Sequence, residues 1–171
     1  MRLLEYEQSL ETPLRQATIT LLLKNDEVLL AMKKRGFGAG KWNGVGGKPN
    51  THEDIYSTAI RESKEEIGVT PLNIKNVEIL NFYFPLVPKE KSYDQTVLVF
   101  TATDWKGTPI ESDEMKPKWF KIQDVPYDQM WVDDVVWMPK VFGGALVKGS
   151  FMFGENDKLV EHYINEVKSL N

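Results

Sequence analysis

The chain has 171 residues, a net charge of −4 and no cysteine. Its length fits one domain, and the absence of cysteine excludes disulfides, thiolate nucleophiles and cysteine-ligated zinc. The acidic balance argues against binding to a nucleic-acid polymer, and the presence of only two histidines, His52 and His162, argues against a histidine-rich zinc site or a Ser-His-Asp triad.

Residues 1–16 are expected to form an N-terminal arm, and residues 17–171 a single domain. The first fourteen residues contain three glutamates and no long apolar core, which is unlike a signal peptide. The longest apolar runs are far too short to span a membrane. We therefore expect a cytoplasmic monomer that contacts no membrane. A small anionic substrate stays compatible with the acidic chain, because a bound metal ion can reverse the local field.

A hairpin and a glycine-rich segment follow the arm. Residues 17–23 predict a strand, the pair Asn25-Asp26 predicts a turn, and residues 27–32 predict the returning strand. Six glycines lie in the span from Gly36 to Gly47. So many glycines indicate a loop whose backbone passes close to another group.

The next segment predicts a helix. Residues 51–54 fit a capping box that begins with a threonine. Every fourth residue from Ile55 to Ile67 is apolar or small, which predicts the buried face of the helix. Gly68 fits a C-terminal stop, and Pro71 prevents continuation.

The rest of the chain predicts further strands and helices in a mixed α/β domain. The expected strands are residues 77–84, 96–102, 118–122 and 151–153, and the expected helices are residues 133–142 and 157–170.

Three glutamates crowd one face of the helix before Gly68. Glu62 and Glu66 are four residues apart and Glu65 lies three after Glu62, so all three carboxylates point the same way. The simplest interpretation is a solvated acidic face with Arg61 and Lys64 as local partners. Because crowded like charges repel, a hard divalent cation such as Mg²⁺ is the natural compensating partner.

The spacing around these glutamates resembles the Nudix box, G-x5-E-x7-R-E-U-x-E-E-x-G-U, in which U is a bulky apolar residue. All seven fixed positions match: Gly47, Glu53, Arg61, Glu62, Glu65, Glu66 and Gly68. At ordinary residue usage, a chance match in such a chain has odds of order 10⁻⁶. Only Ser63 departs from the pattern, since it stands at an apolar position. The resemblance implies the Nudix fold, an α/β/α sandwich with a mixed central sheet, and metal-dependent cleavage of a phosphoanhydride.

The resemblance also implies roles for particular residues. The implied metal ligands for Mg²⁺, with Mn²⁺ as an alternative, are Glu62, Glu65, Glu66, Glu114 and the carbonyl of Gly46. Arg61 and Glu53 would support them through a bidentate pair. Together, Glu53, Arg61, Glu62, Glu65, Glu66 and Glu114 form the expected catalytic set.

Residues 32–48 and 107–134 resemble the MutT-like branch of this family, which hydrolyses oxidised purine nucleoside triphosphates such as 8-oxo-dGTP and 2-oxo-dATP. The implied nucleotide-binding residues are Thr18, Lys33, Phe37, Asn43, Val45, Gly46, Gly47, Lys48, Phe82, Trp131, Val132, Asp133 and Asp134. Trp131 offers a flat face for a purine, and two adjacent buried aspartates could share one proton. Val45 stands where this branch has a larger aromatic residue.

Other interpretations remain open at this stage. The box fixes a reaction class and no substrate, so ordinary purine triphosphates or other nucleoside diphosphate derivatives are alternatives. A non-catalytic nucleotide sensor is another, although a sensor has no need of three crowded acids. Taken singly, Trp131 is more often a packing residue, and Asp133-Asp134 more often a helix N-terminus whose acids complement the dipole.

Overall fold

A computed structural model describes residues 1–91 and 93–171 of the protein. The helices are α1 (Leu3–Gln8), α2 (Ile55–Ile67) and α3 (Asp134–Phe142). The strands are β1 (Arg15–Lys24), β2 (Glu27–Lys33), β3 (Trp42–Asn43), β4 (Thr70–Leu72), β5 (Lys75–Tyr83), β6 (Gln95–Ala102), β7 (Asp104–Lys106), β8 (Met115–Lys121), β9 (Leu146–Phe153) and β10 (Leu159–Val167). In the described part of the chain, no helix has both the length and the apolarity needed to cross a membrane.

Eight strands form one sheet in the order β10-β9-β5-β6-β1-β2-β3, with β8 also paired to β2. The pairs β1–β6 and β5–β9 are parallel, whereas the β1–β2, β5–β6 and β9–β10 pairs are antiparallel. The central sheet is therefore mixed, as the resemblance implied. A separate two-stranded ribbon joins β4 to β7.

The two faces of the sheet are covered by different helices. On β6, Val97 and Val99 belong to the cluster that contains Trp137 of α3, whereas Leu98 and Phe100 pack with Ala59 of α2. This division follows from the alternation of side chains along a strand. The expected α/β/α sandwich is confirmed.

Helix α2 begins three residues later than a capping box at Thr51 would place it. The N-cap is Asp54, whose Oδ1 accepts a hydrogen bond from Ser57 N at 2.9 Å. Asp54 takes this position because its short carboxylate reaches the free amides of the first turn. The helix ends at Gly68, whose φ of 73° is left-handed, as predicted.

Ser63 occupies its unusual position without leaving a buried polar group unpaired. It is fully buried, and its hydroxyl donates to the carbonyl of Ala59 at 2.8 Å. This local bond satisfies the hydroxyl within the helix. The departure from the box pattern therefore leaves the backbone of α2 intact.

The expected C-terminal helix over residues 157–170 is wrong, because this segment forms the edge strand β10. Val160, Tyr163, Ile164 and Val167 recur at helical spacing, which explains the error. The register shifts between Leu159 and Glu161, so a bulge interrupts the alternation that a strand normally shows. Pairing with β9 along its whole length outweighs the helical pattern.

The other expected strands are present with different limits. Strand β8 begins at Met115 instead of residue 118 and contains Pro117. Proline is tolerated there because, within the described residues, β8 pairs with β2 alone and so is an edge strand. Strand β9 begins at Leu146, five residues before the expected start. The short strands β3, β4 and β7 were not predicted, since two or three residues give no measurable alternation.

Candidate active site

Arg61 is the centre of the hydrogen bonds on the acidic face of α2. Its guanidinium donates to both carboxylate oxygens of Glu53, at 2.8 and 3.0 Å. It also donates to Glu62 and Glu65, each at 3.0 Å, and to the carbonyl of Lys48 at 3.0 Å. The hydrogen bonds from Arg61 hold the pKa of Glu53 at about 2, so Glu53 remains ionised. This bidentate pair fixes the arginine within the cluster.

Glu66 lies deeper than the other glutamates of the helix. It is 6% exposed, and its Oε2 accepts a hydrogen bond from Gly46 N at 3.1 Å. Burial raises its pKa to about 8, and the charges of Glu62 and Glu114 add to this shift. Burial also raises the pKa of Glu62. The cluster therefore has an excess of negative charge that a cation would relieve.

The backbone of Gly46 and Gly47 lies beside these carboxylates and is called the glycine wall below. A Cβ at Gly47 would lie 2.5 Å from the carboxyl of Glu62, and one at Gly46 would lie 1.7 Å from the carbonyl oxygen of Thr18. Only glycine fits at position 46, where the clash is with the backbone, whereas a side chain at position 47 would displace the carboxyl of Glu62. Gly47 and Val45 direct their carbonyls toward β1, at 2.8 Å from Thr18 N and 2.6 Å from Thr20 N. In an extended segment the carbonyl of Gly46 then points to the opposite side, where Glu66 lies.

The glutamate carboxylates and the Gly46 carbonyl are oxygen ligands of the kind that a hard divalent cation prefers, but their positions do not form a complete coordination site. Among the described residues, no group of three or more acidic or histidine side chains converges in metal-binding geometry. The carboxylates of Glu62 and Glu65 both face Arg61, and Glu114 pairs with Arg35 at 3.3 Å. A cation would have to draw these carboxylates away from the two arginines.

A cavity of about 340 Å³ opens on the other side of the glycine wall. Its size is suited to a small ligand. It is lined by most of the residues that the resemblance implied: Thr18, Lys33, Phe37, Asn43, Gly46, Gly47, Lys48, Phe82, Trp131, Asp133 and Asp134. The carboxylates of α2 and the cavity thus share the Gly46–Gly47 segment.

Aromatic rings line the outer part of this cavity. Phe37 lies 5.1 Å from Trp131 between ring centroids, at an interplanar angle of 40°. Lys41 Nζ lies 5.2 Å from the centroid of the Trp131 ring, within the range of a cation–π contact. Phe84 and Phe153 stack at 4.8 Å and 8° behind them. A flat heterocycle can lie against these rings.

Asp133 and Asp134 lie at the floor of the cavity, 3% and 2% exposed. Burial raises the pKa of Asp133 to about 6, although Trp137 Nε1 donates to its Oδ2 at 2.9 Å and favours the ionised form. Burial and the neighbouring charge of Asp133 raise the pKa of Asp134 further. The two shifts therefore oppose ionisation of both carboxyls at once, and Oδ2 of Asp134 lacks a hydrogen-bond partner among the described residues.

Asn43 has part of its capacity occupied. Its Oδ1 accepts a hydrogen bond from Gly44 N at 2.8 Å. This bond fixes the side-chain amide and leaves its Nδ2 donors, together with the second lone pair of Oδ1, for a ligand in the cavity.

Cationic side chains form part of the cavity lining. Lys33, Lys48, Arg15 and Lys91 all line the cavity. Burial lowers the pKa of Lys48, and the nearby charges of Arg15 and Lys33 lower it further. Such a concentration of positive charge favours an anionic ligand in an otherwise acidic protein.

The segment that contains the glycine wall and helix α2 matches a known protein family. The family model described as NUDIX domain matches residues 13–141. The chain belongs to the Nudix family.

Relatives of this Nudix protein match over most of its length. An oxidized purine nucleoside triphosphate hydrolase of Danio rerio is 43% identical over 153 residues, 90% of this chain and 96% of the relative. The protein of the same name from Mus musculus is 39% identical over 155 residues, 91% of this chain and 97% of the relative. The crystal structure of a MutT protein from Bacillus halodurans covers 89% of this chain and 98% of its own, with a TM-score of 0.77 and 27% identity.

Two predicted nucleotide-binding residues of the Nudix chain lie away from the cavity. The side chain of Val45 belongs to the cluster with Leu22 and Ile67, on the face of the sheet that α2 covers. Val132 is 48% exposed and is not among the described residues that line the cavity. The smaller side chain at Val45 therefore does not widen the cavity directly.

Several lining residues were missed from the sequence. Phe84, Tyr93, Gln95, Phe153 and Arg15 all contribute to the cavity. Phe84 could have been found, because it follows Phe82 by two residues and shares its face of the sheet. Arg15, Gln95 and Phe153 come from strands whose pairing the sequence does not reveal, and Tyr93 lies in the segment that precedes β6.

Proposed function

We propose that the protein hydrolyses oxidised purine (deoxy)nucleoside triphosphates, such as 8-oxo-dGTP and 2-oxo-dATP, to the monophosphate and pyrophosphate. This reaction would remove oxidised triphosphates from the nucleotide pool. The observation that carries this proposal is the buried pair Asp133 and Asp134 at the floor of a cavity that adjoins the Nudix carboxylates. The names and coverage of the fish and mouse relatives support it.

The proposed cofactor is Mg²⁺, with Mn²⁺ as an alternative. Glu62, Glu65, Glu66, Glu114 and the carbonyl of Gly46 would hold it. Bound there, the ion would supply neutralisation of phosphate charge and activation of water. The excess negative charge around Glu66 supports this assignment, because a cation offsets the cost of keeping several carboxylates ionised.

The residues of the chain position the nucleotide for attack by water. The base would lie against Trp131 with its edge toward Asn43 and the aspartate pair. Lys33 and Lys48 would neutralise the phosphate chain, which leads past the glycine wall toward the acidic helix. Attack at the phosphorus that adjoins the nucleoside would release pyrophosphate. Because the cavity and the carboxylates belong to one chain, we propose a monomeric enzyme, and we place it in the cytoplasm with its free nucleotide substrates.

A panel of triphosphates tests the substrate. With Mg²⁺ present, kcat/KM for 8-oxo-dGTP and 2-oxo-dATP is expected to exceed that for dGTP by more than about tenfold, or about 1.4 kcal/mol. The physical reason is that an oxidised base presents different donors and acceptors to Asn43 and the aspartate pair. A smaller advantage would favour the alternative, a pyrophosphatase of ordinary purine triphosphates or other nucleoside diphosphate derivatives.

The aspartate pair provides a second test. If one proton is shared between Asp133 and Asp134, it can lie on either carboxyl. One oxidised base would then bind when Asp133 carries the proton, and the other when Asp134 carries it. Asp133→Asn and Asp134→Asn are then expected to shift the ratio of kcat/KM for 8-oxo-dGTP and 2-oxo-dATP in opposite directions. Equal losses on both substrates in both variants would contradict a shared proton.

A further inference from the structure

Helix α1 is attached to the sheet by hydrogen bonds from side chains on three strands. Glu7 accepts from Tyr83 on β5 at 3.1 Å, from Ser150 on β9 at 2.6 Å and from Tyr163 on β10 at 3.0 Å. The Nudix match begins at residue 13, so this helix lies outside the matched region. Helix α1 is therefore firmly bound to the domain although it lies outside the matched region.

One contact of the arm reaches the segment between β5 and β6. The hydroxyl of Tyr6, a residue 8% exposed, donates to Asp94 Oδ2 at 2.7 Å. The second oxygen of Asp94 accepts from Phe84 N at 2.7 Å. Burial and the Asp94 carboxylate raise the pKa of Tyr6, so its hydroxyl remains a donor. Asp94 is thereby held from two sides.

The neighbours of Asp94 in sequence both line the nucleotide cavity. Tyr93 lies 4.8 Å from Phe37 between ring centroids, and Phe37 in turn contacts the Trp131 ring. Gln95 lines the cavity from the first position of β6. Gln95 is paired in the sheet with Arg15 of β1 and with Phe82 of β5, whereas Tyr93 precedes the strand. Fixing Asp94 therefore bears mainly on the backbone of Tyr93.

Tyr93 forms an outer wall of the nucleotide cavity, and a second cavity of about 290 Å³ lies on the other side of this wall. Tyr6 and Asp94 both line it, and it shares Arg15, Phe84 and Tyr93 with the nucleotide cavity. The wall thus has open space on both sides. The ring of Tyr93 packs against Phe37 and Phe84, and the hydrogen bond from Tyr6 to the charged carboxylate of Asp94 holds the adjacent backbone.

We propose that Tyr6 is a positioning residue for nucleotide binding: its hydrogen bond to Asp94 holds Tyr93 in place as the outer wall of the cavity. The effect falls on binding and not on the chemical step, because the carboxylates of α2 lie on the far side of the glycine wall. The inference rests on the proposed function for the class of ligand.

The test is Tyr6→Phe, which removes the hydroxyl and keeps the ring against Tyr83, 5.6 Å away. We expect KM for 8-oxo-dGTP to rise about fivefold, which corresponds to about 1 kcal/mol, with kcat within about twofold of the wild type. The dissociation constant of the product 8-oxo-dGMP, measured by calorimetry, should rise by the same factor.

Tyr163→Phe is the matched control. It also removes a tyrosine hydroxyl that binds the arm, at Glu7, but it lies on the edge strand β10, and its hydroxyl is bonded to Glu7 and Ser150 instead of Asp94. Its KM and its affinity for 8-oxo-dGMP should stay at the wild-type values. Equal changes in the two variants would show that the arm acts only through stability, and an unchanged KM in Tyr6→Phe would also overturn the proposal. If the wild type binds 8-oxo-dGMP but hydrolyses no triphosphate, the proposed function fails, while the calorimetric comparison still decides the role of Tyr6.

Discussion

Replacing Glu66 by glutamine is expected to lower kcat by about 10³-fold or more, within the range seen when one preorganised charge is removed from an active site. Glu66 is the most deeply buried carboxylate of the acidic helix and lies beside Gly46. Glutamine keeps its size and can still accept the hydrogen bond from Gly46 N, but it cannot supply the charge that a divalent cation requires. Affinity for 8-oxo-dGMP should change little, because the base and the cationic part of the cavity lining are untouched.

The control for this variant is Glu166→Gln. Glu166 undergoes the same chemical change on β10, where its side chain is 62% exposed and pairs with Lys140. Its kcat should equal that of the wild type, since exposed ion pairs contribute little. Steady-state kinetics with Mg²⁺ and calorimetry with the monophosphate separate the two effects. A Glu66→Gln enzyme that keeps a tenth of wild-type turnover would contradict a catalytic role, and a wild type that binds but never turns over would favour a nucleotide sensor.

Replacing Glu78 by glutamine is expected to raise the free energy of unfolding at pH 7.5 by on the order of 3 kcal/mol. Glu78 lies on β5, fully buried, and both of its carboxylate oxygens lack a hydrogen-bond partner in the described part of the chain. Burial raises its pKa to about 9, and the charge of Lys140 opposes this shift only in part. The native protein therefore keeps a proton on Glu78 at neutral pH.

The sign of the effect follows from the two states. In the unfolded chain the pKa of Glu78 is near 4.5, so above this pH the unfolded state releases a proton that the native state retains. Ionisation thus favours unfolding increasingly from about pH 4.5 to about pH 9, and the cost is absent at lower pH. Glutamine does not ionise, so the advantage of the variant should be small near pH 5 and should grow as the pH rises.

Urea unfolding of the wild type, Glu78→Gln and Glu166→Gln between pH 5 and pH 8.5 measures this difference. The exposed control should stay within about 0.5 kcal/mol of the wild type at every pH. A stability gain in Glu78→Gln that does not vary with pH would show that the carboxyl is not protonated in the native state.

The sequence predicted the parts of the molecule that depend on local chemistry. The end of α2 followed from Gly68 and Pro71, and the common direction of Glu62 and Glu66 followed from helical spacing. Its start was misjudged, since Thr51 and Asp54 both suit an N-cap, and only the structure shows that Asp54 reaches Ser57 N. Residues 157–170 were misjudged because their helical spacing is overridden by pairing with β9.

The candidate site was predicted best where a motif carried it. The nucleotide-binding residues implied by the resemblance line the cavity, with the exceptions of Val45 and Val132, which lie next to lining residues in sequence but point elsewhere. The contributions of Gln95 and Phe153 were not predictable. They depend on which strands become neighbours in the sheet, and alternation within one strand does not contain that information.

The parallel pairing of β1 with β6 and of β5 with β9 has a consequence for how the protein acquires its activity. Each pair joins strands separated by three or four others along the chain, and the nucleotide cavity is lined by residues from all four. Such long-range pairings close late and slowly during folding. The cavity is therefore absent from partly folded chains, and the ligand binds only the completely folded protein. Recovery of nucleotide binding after dilution from denaturant thus reports completion of the sheet, and a nucleotide protects this chain from unfolding only after that last step.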